Sequence, residues 1–478
     1  MVTLLPQMLA AVELPVDRLE AAAPILTGFL GGYVVAMPLL GAFSDARGRL
    51  PAYAAALAAF GAGSAVTALA PSLGWLVAGR VLQGLGGGAL VPLSLALAAD
   101  LYPAGLRARP LGAVAALQEA GSVLGPVYGA WLAAFLGGWR AVFWLNLPLG
   151  ALVLGGLWAT RGRQAPLPPG TSGRAQVDWA GALLLGVGLG LLVVALYPDD
   201  PQRRPVNALA APLGLGAALV LATFGWRQAR RLSPLIAPAL LRRPAFGGAL
   251  AANVLAGAAL MVALVDVPVL ARGVYDLSTL DSGLLLSRLL LGVPVGALAG
   301  GWLGARLGAR WTAPAGLLLA AAAFALMSGW RADELRTSGW QVSGELFLCG
   351  FGFGAIIAPL TAAVLDLAEG GQHGLASSLV VLARTLGMVV GLAALTAFGL
   401  NRFQRIFLDR RCDVPAPGGL RQQLTAFENC VRGALLQEYR EIFLVAAGLC
   451  LLAAAVAVLT LGATRATSRG AGRAAAPA

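Results

Sequence analysis

The chain has 478 residues, of which 58% are hydrophobic and only 12% are charged. Soluble globular proteins carry about 25% charged residues, so this composition excludes a soluble fold and indicates a surface that faces lipid. The formal net charge of +12 would suit a nucleic-acid-binding protein, but the arginines lie in short loops between apolar runs. Their placement indicates orientation in a membrane, with no nucleic-acid partner.

Thirteen apolar runs are long enough, at about 20 residues each, to cross a bilayer as helices. The first ten residues have the composition of the last turns of one further helix. We therefore predict an all-α polytopic membrane protein whose first helix is truncated in this chain. In chain order the thirteen runs span residues 25–43, 51–70, 75–98, 110–135, 142–159, 179–197, 208–226, 245–265, 279–303, 312–330, 343–365, 375–401 and 439–463.

The arginines are distributed unevenly between two sets of alternating loops. One set mixes arginines with acids, whereas the other is rich in arginine and poor in acids. Because arginine-rich loops stay on the cytoplasmic side, we predict a multi-pass protein of the inner (plasma) membrane whose full-length form has both ends in the cytoplasm. The arginine-rich set contains Arg47, Arg49, Arg107, Arg109, Arg161, Arg163, Arg174, Arg227, Arg230, Arg231, Arg242, Arg243, Arg306 and Arg310.

Two segments of the first half recur in the second half, about 260 residues later. Residues 41–49 recur in degenerate form at 301–310, and residues 125–129 recur at 387–391. Two parallel halves related in this way are a known plan for transporters. The two apolar runs that lie between the halves have no counterpart, so we predict that they are extra linker helices.

These features predict two six-helix bundles joined by a loop and the two linker helices. Residues 161–178 are rich in proline and glycine, which indicates a cytoplasmic loop. The predicted divisions are an N-terminal bundle at 1–160, the loop and linker helices at 161–244, a C-terminal bundle at 245–463 with a periplasmic extension at 402–440, and a cytoplasmic tail at 464–478.

The segment Gly41-Ala-Phe-Ser-Asp45-Ala-Arg47-Gly48-Arg49 resembles the signature loop of the major facilitator superfamily, between its second and third helices. The resemblance implies that the loop latches one conformation of a transporter. Gly48 permits a tight turn, and Asp45 is favoured beside a helix N-terminus. Arg47 and Arg49 are expected to hold the loop at the cytoplasmic face. A basic turn that serves only for orientation would explain the arginines but not the whole spacing.

Two further motifs resemble those of the same superfamily. Arg80 and the residues after it resemble the fourth-helix motif, and we group Arg80 with the predicted latch because a buried arginine is usually functional or paired. Gly121, Gly125, Pro126 and Gly129 resemble the fifth-helix motif of its antiporters. Small residues four positions apart predict a closely packed helix face, and the proline permits a bend.

Residues 139–148 resemble the sixth-helix entry of the fourteen-helix drug:proton antiporter branch. A closer resemblance, covering nearly the whole chain and carried by residues 116–129, 258–266, 373–378 and 380–388, is to the mycobacterial triacylglyceride exporters that act with the lipoprotein LprG. The resemblance implies a lipid substrate, coupling to protons and an LprG-like periplasmic lipoprotein as partner. It also implies that an intramembrane acid and base serve the transport cycle.

The acid and the base expected from that resemblance match Glu119 and Arg384. In the repeat Arg384 corresponds to Ser122, which lies one turn from Glu119, so Glu119 and Arg384 can face each other across the bundle interface. We predict that a proton and Arg384 compete for Glu119; the alternative is a static buried ion pair. Asp266 is the third candidate for proton coupling, and it either lines the pathway or is solvated. The single histidine, His373, is expected to be exposed or to cap a helix, with a pH-sensing role as the alternative.

Cys412 and Cys430 flank the polar segment predicted to be periplasmic, where disulfides persist. We predict a disulfide between them, with free thiols as the alternative. Two helices of the 402–440 extension are expected to protrude as a lipid ramp or docking surface. One histidine and widely separated cysteines do not suit a metal site, and no cofactor is expected.

The sequence therefore predicts a monomeric, proton-coupled exporter of triacylglyceride-like lipids rather than an enzyme. The first alternative is a proton-coupled multidrug efflux antiporter, which would need carboxylates in its cavity. The second alternative is a membrane scaffold without transport activity, which would need neither the repeat nor the intramembrane acid and base.

Overall fold

The computed structural model describes residues 4–12, 23–159, 178–197, 206–231, 234–368, 372–410, 412 and 419–462. Within these ranges the regular structure is helical and contains no strand. The predicted loop 161–178 lies outside the described residues except for Asp178, and the predicted tail 464–478 lies outside them entirely. The predicted division into bundles, linker and extension stays a prediction.

Sixteen helices make up the described part of the chain. In order they are α1 (Leu5–Ala11), α2 (Ala23–Arg47), α3 (Arg49–Leu69), α4 (Leu73–Leu101), α5 (Ala108–Phe135), α6 (Trp139–Ala159), α7 (Trp179–Leu196), α8 (Ala210–Arg230), α9 (Pro238–Leu241), α10 (Pro244–Gly273), α11 (Thr279–Leu307), α12 (Ala309–Met327), α13 (Glu334–Thr337), α14 (Gly339–Leu365), α15 (His373–Asp409) and α16 (Leu420–Leu461).

Twelve of the described helices are long and apolar enough to cross a membrane. Each of the thirteen predicted apolar runs coincides with a helix, the run at 110–135 with α5. The predicted all-α polytopic membrane fold is therefore confirmed. The largest difference is at α16, which begins at Leu420 and not near residue 439. No proline lies between residues 420 and 439, so helix continues through this polar stretch, and the 42 residues of α16 make about 63 Å of helix.

The chain folds as two compact units. The first unit comprises Met1–Val114, Gly121–Leu250 and Thr361–Ala383. In it, α4 packs against α2 and α3, α6 packs on α3, and the two predicted linker helices α7 and α8 pack on each other and, through α7, on α2. The short helix α1 belongs to the core of this unit, because Met8 and Leu9 are fully buried.

The second unit comprises Ala115–Ala120, Ala251–Leu360 and Arg384–Ala478. Glycines at every fourth position draw α11 and α14 together, since a Cβ at Gly292 or Gly296 would overlap backbone atoms of α14. Without water in the bilayer core, such close backbone approach is a main source of helix association. In the same unit α12 packs along α16.

The contact between α11 and α14 gives a prediction for Gly354→Ala. A Cβ there would overlap the carbonyl oxygen of Val293 and lie 2.8 Å from the nitrogen of Ala297. At Gly344, in the same helix, a Cβ would meet no described atom within 4 Å. Both substitutions raise helix propensity equally, so we expect Gly354→Ala to be less stable than Gly344→Ala by about 1–3 kcal/mol. Thermal unfolding in detergent would measure this, and equal melting temperatures would contradict it.

Candidate gating and coupling sites

The turn between α2 and α3 depends on Gly48. Its φ is 95°, in the left-handed region that side chains disfavour. The equivalent residue of the repeat, Gly308, has a φ of 82° between α11 and α12. Both copies of the motif therefore contain a left-handed turn at the glycine, the tight turn for which the sequence predicted glycine. The turn directs Arg49 back towards the end of α2.

Asp45 caps the start of α15. Its carboxylate accepts the backbone N–H groups of Gly374, at 2.7 Å, and Leu375, at 2.8 Å. These donors lie at the first turn of α15, where the helix dipole favours a negative charge. The same carboxylate forms an ion pair of 2.7 Å with Nη1 of Arg49. The signature loop therefore holds the beginning of α15 through a charge-assisted contact.

Asp100 and His373 complete this contact. Asp100, at the end of α4, accepts a hydrogen bond of 2.7 Å from Nε of Arg49, and its other oxygen lies 2.6 Å from Nδ1 of His373. His373 is only 6% exposed, so the expectation of an exposed histidine was wrong. Sequence reasoning missed Asp100, whose only signal is an acid at the end of an apolar run. We call Asp45, Arg49, Asp100 and His373 the latch cluster.

The first turns of α15 also dock on α2 and α4. Ser377 donates a hydrogen bond of 2.8 Å to the carbonyl oxygen of Pro92, and Ser378 donates one of 2.8 Å to that of Met37. A Cβ at Gly41 would overlap Ser378. The hydroxyl groups and the glycine therefore allow backbone contact beside the latch cluster.

Three residues of the predicted latch lie outside the latch cluster: Gly48, which forms the turn, Arg47 and Arg80. Arg47 is exposed. Arg80 lies twenty residues before Asp100 on α4, or about 30 Å away along the helix, so it cannot reach the cluster. Arg80 therefore lies outside the latch cluster, and its role in a conformational latch stays a prediction.

Arg80 forms a separate buried network. Its Nη1 donates a hydrogen bond of 2.6 Å to Gln83, which donates one of 2.7 Å to Ser64. Asn146 on α6 also bonds Ser64, at 3.2 Å, and the guanidinium lies 4.2 Å from the ring centre of Phe29. Hydrogen bonds and a cation–π contact thus stabilise a cation buried within the first unit.

A second ion pair lies near the latch cluster. Nη1 of Arg107 lies 2.9 Å from Asp366, just after α14. Partial burial raises the pKa of Asp366 above its ordinary value, and Arg107 opposes that rise. The pair ties the start of α5 to the segment that leads into α15, within the first unit.

Glu119 and Arg384 meet inside the second unit. Nη2 of Arg384 donates a hydrogen bond of 3.1 Å to Oε1 of Glu119, and the side chains are 15% and 18% exposed. Each residue lies eleven positions after the start of its helix, or about 17 Å along it. That distance is near the middle of a hydrocarbon core of about 30 Å. The structure therefore brings the predicted acid and base together at mid-span.

The glycines of the fifth-helix motif form an open face. A Cβ at Gly121, Gly125 or Gly129 would meet no described atom within 4 Å. Among the described residues no atom packs against these Cβ positions, although Gly129 itself is buried; the predicted close packing stays a prediction, and the side chain of Pro126 lies outside the described part. The repeat differs, since a Cβ at Gly387 or Gly391 on α15 would overlap or crowd the α10 backbone.

Asp266 is separated from the Glu119–Arg384 pair. Within the described residues no hydrogen bond or ion pair joins it to either side chain. It lies in α10 and interacts electrostatically, as a like charge, with Glu438 of α16. Glu438 is only 8% exposed and was not found from the sequence.

Cys412 and Cys430 are joined by a disulfide that links the end of α15 to α16. The two helices also meet through an edge-to-face contact of Phe407 with Phe427, with ring centres 6.3 Å apart. Arg402 pairs with both carboxylate oxygens of Glu441 below these contacts. The protruding parts of α15 and α16 thus form a braced helical pair.

The Asp45 contact predicts faster hydrogen exchange at the start of α15 in Asp45→Ala. Losing the acceptor leaves two N–H groups unpaired, at a cost of about 1–3 kcal/mol. We expect amides of the first turn to exchange about 10- to 100-fold faster, measured by hydrogen–deuterium exchange in nanodiscs. Arg47→Ala, which removes an exposed charge from the same loop, should leave this exchange unchanged. Equal exchange in the two variants would rule out the capping role of Asp45.

The disulfide predicts a specific alkylation count. The chain has four cysteines, and Cys349 and Cys450 are free. Denatured protein should therefore take up two alkyl groups without reductant and four after reduction, measured by intact mass. Four groups without reductant would show that the thiols of the extension are unpaired.

Comparisons with known proteins agree with this architecture. The chain matches the family model described as Major Facilitator Superfamily over residues 1–392 and 249–477. Its fold resembles that of the human organic anion transporter MFSD10, at a TM-score of 0.57 and 19% identity over 93% of this chain and 88% of that chain. It also resembles the fold of the E. coli fucose:proton symporter FucP, at a TM-score of 0.50 and 14% identity over 94% of this chain and 93% of that chain. The predicted major facilitator fold is confirmed.

Curated relatives are more similar in sequence. The chain is 40% identical over 478 residues to a triacylglyceride transporter of Mycolicibacterium hassiacum, covering 96% of this chain and 88% of the relative. It is 39% identical over 475 residues to the triacylglyceride transporter of Mycobacterium tuberculosis H37Rv, covering 96% and 90%. The chain therefore belongs to the major facilitator superfamily of membrane transporters, in the branch that contains these mycobacterial relatives.

Proposed function

We propose that this protein is a proton-coupled exporter that moves triacylglyceride-like lipids from the inner membrane towards the periplasm by alternating access. The observation that carries the coupling is the Glu119–Arg384 pair at mid-span. The lipid cargo rests on relatives that are named triacylglyceride transporters and that align with nearly the whole chain.

Competition for Glu119 couples the proton to the transport cycle. When Glu119 is ionised, Arg384 neutralises it and fixes α5 against α15. Protonation removes the charge on Glu119 and weakens the bond, so the two helices separate at a smaller cost. A charge at this depth is expensive without a partner. The protonation state of Glu119 thus selects between conformations.

The open glycine face of α5 supports a second conformation. Gly121, Gly125 and Gly129 form a smooth surface that a neighbouring helix can approach closely. In our proposal a neighbouring helix packs on this glycine face when the latch cluster opens. The neighbouring helix leaves the glycine face when the latch cluster closes and Asp45 caps α15. Each conformation then has its own set of contacts, which a two-state transporter requires.

Energetics favour an apolar route for the lipid. Moving an acyl chain from lipid to water costs about 0.8 kcal/mol per methylene, which is on the order of 10 kcal/mol for one long chain. One proton driven by about 100 mV supplies roughly 2.3 kcal/mol. Protons therefore cannot lift a triacylglyceride through a water-filled pore. In our proposal the proton selects which side is open, and the lipid stays in apolar surroundings.

The extension formed by α15 and α16 is the proposed exit for the lipid. It exposes Leu408, Leu424 and Phe427, which are 62%, 53% and 47% accessible. An apolar surface on a helical pair braced by a disulfide suits a lipid ramp. It also suits docking of an LprG-like periplasmic lipoprotein, which would carry the lipid onwards.

Reconstituted vesicles test the cargo and the coupling together. Donor vesicles containing the protein and labelled triacylglyceride are given a proton gradient, and transfer of label to acceptor vesicles is measured. We expect the gradient to raise wild-type transfer about tenfold or more. Glu119→Gln imitates the protonated state permanently, so its transfer should no longer respond to the gradient. Asp276→Asn removes an exposed carboxylate and should behave as wild type.

The other outcomes separate the alternatives. A Glu119→Gln protein that keeps the wild-type rate and gradient response would sink the coupling role of Glu119. Ethidium efflux from cells that express the protein, without any triacylglyceride transfer, would establish the multidrug antiporter. The absence of both activities in folded protein would favour a scaffold.

A further inference from the structure

The latch cluster holds the chain's single histidine with one ring nitrogen engaged. Nδ1 of His373 lies 2.6 Å from Oδ1 of Asp100. Oδ2 of Asp100 accepts from Arg49, so the carboxylate is ionised and Nδ1 carries a hydrogen. Nε2 makes no hydrogen bond to the described residues and is the position at which imidazole takes up a second proton.

The charges of the latch cluster balance only when that proton is present. Asp45 and Asp100 contribute two negative charges, and Arg49 contributes one positive charge. With a neutral His373 the cluster therefore carries one uncompensated negative charge. A protonated imidazole brings the net charge to zero, and it makes the contact with Asp100 charge-assisted at a ring that is only 6% exposed.

The neighbouring charged groups leave this balance unchanged. Asp366 lies near enough to interact electrostatically with His373, but Arg107 pairs with it at 2.9 Å. Arg47 is exposed. Tyr53, on α3, bonds Ser94 and is neutral in this pH range. No other charged group in the described residues makes an ion pair with the latch cluster.

We infer that His373 is a proton-binding site of its own, separate from Glu119, and that the latch cluster closes with uptake of one proton from the side predicted to be cytoplasmic. The proton adds to Nε2 as His373 comes against Asp100. When the start of α15 leaves α2 and α4, the imidazole loses Asp100 and returns the proton to the same side. The site therefore senses cytoplasmic pH and moves no proton across the membrane.

The direction of the pH effect follows from linkage. Because the closed latch binds the proton more tightly than the open latch, closure is favoured at low pH and weakens as pH rises through the titration of the closed state. Over the range between the two titrations, the closed-to-open ratio changes about tenfold per pH unit. An acidified cytoplasm thus keeps this side of the transporter shut, whatever the cargo.

Histidine-specific isotope labelling tests this site directly, because only one histidine is present. NMR titration of ¹³C-histidine protein in nanodiscs follows the protonation of this imidazole. Asp100→Asn removes the carboxylate beside Nδ1 and should move the titration of the ring to lower pH, whereas Asp276→Asn, a matched change at an exposed site, should not move it. A titration that Asp100→Asn leaves in place would overturn the proposal.

Hydrogen exchange tests the consequence for the latch. After correction for the chemical exchange rate, protection of the first turn of α15 should fall as pH rises in the wild type and should be independent of pH in His373→Gln. Amides of α12 serve as an internal reference in both proteins. A wild-type profile that is flat, or one that His373→Gln reproduces, would refute the switch. Neither measurement depends on lipid transport, so failure of the proposed function leaves this result readable.

Discussion

The requirement that a charge inside a bilayer must meet a partner governs where the functional groups of this protein lie. Glu119 and Arg384 satisfy each other at mid-span with an N–O distance of 3.1 Å. Nearer the membrane surface, Asp45 is satisfied by Arg49 and by backbone donors of α15. The free-energy cost of holding these charges inside the membrane is small while both partners are in contact, and it is large if only one partner remains.

Small residues supply the second constraint, because they decide which helix faces can approach. On α15, Gly387 and Gly391 hold the helix closely against α10, whereas no described atom lies within 4 Å of a Cβ placed on the equivalent glycines of α5. The same repeated motif therefore makes a close contact in one half of the sequence, and in the other half it leaves room for one among the described residues. Glycine makes both possible, because a smooth backbone surface costs no side-chain rearrangement when a neighbour arrives or leaves.

The candidate sites were predicted unevenly. Glu119 was found from the sequence because an acid within a long apolar run is conspicuous. Arg80 was equally conspicuous, but its partners Gln83 and Ser64 and its distance from the latch cluster could not be inferred. Asp100 and Glu438 were missed, since an acid at the end of a hydrophobic run looks like part of a solvated loop. The contacts of Asp100 and the burial of Glu438 depend on helices that are distant in sequence.

The sequence by itself determined the membrane fold, the helical spans and the internal repeat, because hydropathy and motif spacing are local properties of the chain. Only the tertiary structure decided that His373 meets Asp100 across 273 residues, that Arg80 lies in a separate network, and that α16 extends far beyond its apolar part. These features depend on which helices pack together and in which register, and apolar faces in lipid are too alike for composition to specify either. A charged residue within an apolar run indicates that a partner exists, but which residue is the partner depends on how the helices pack.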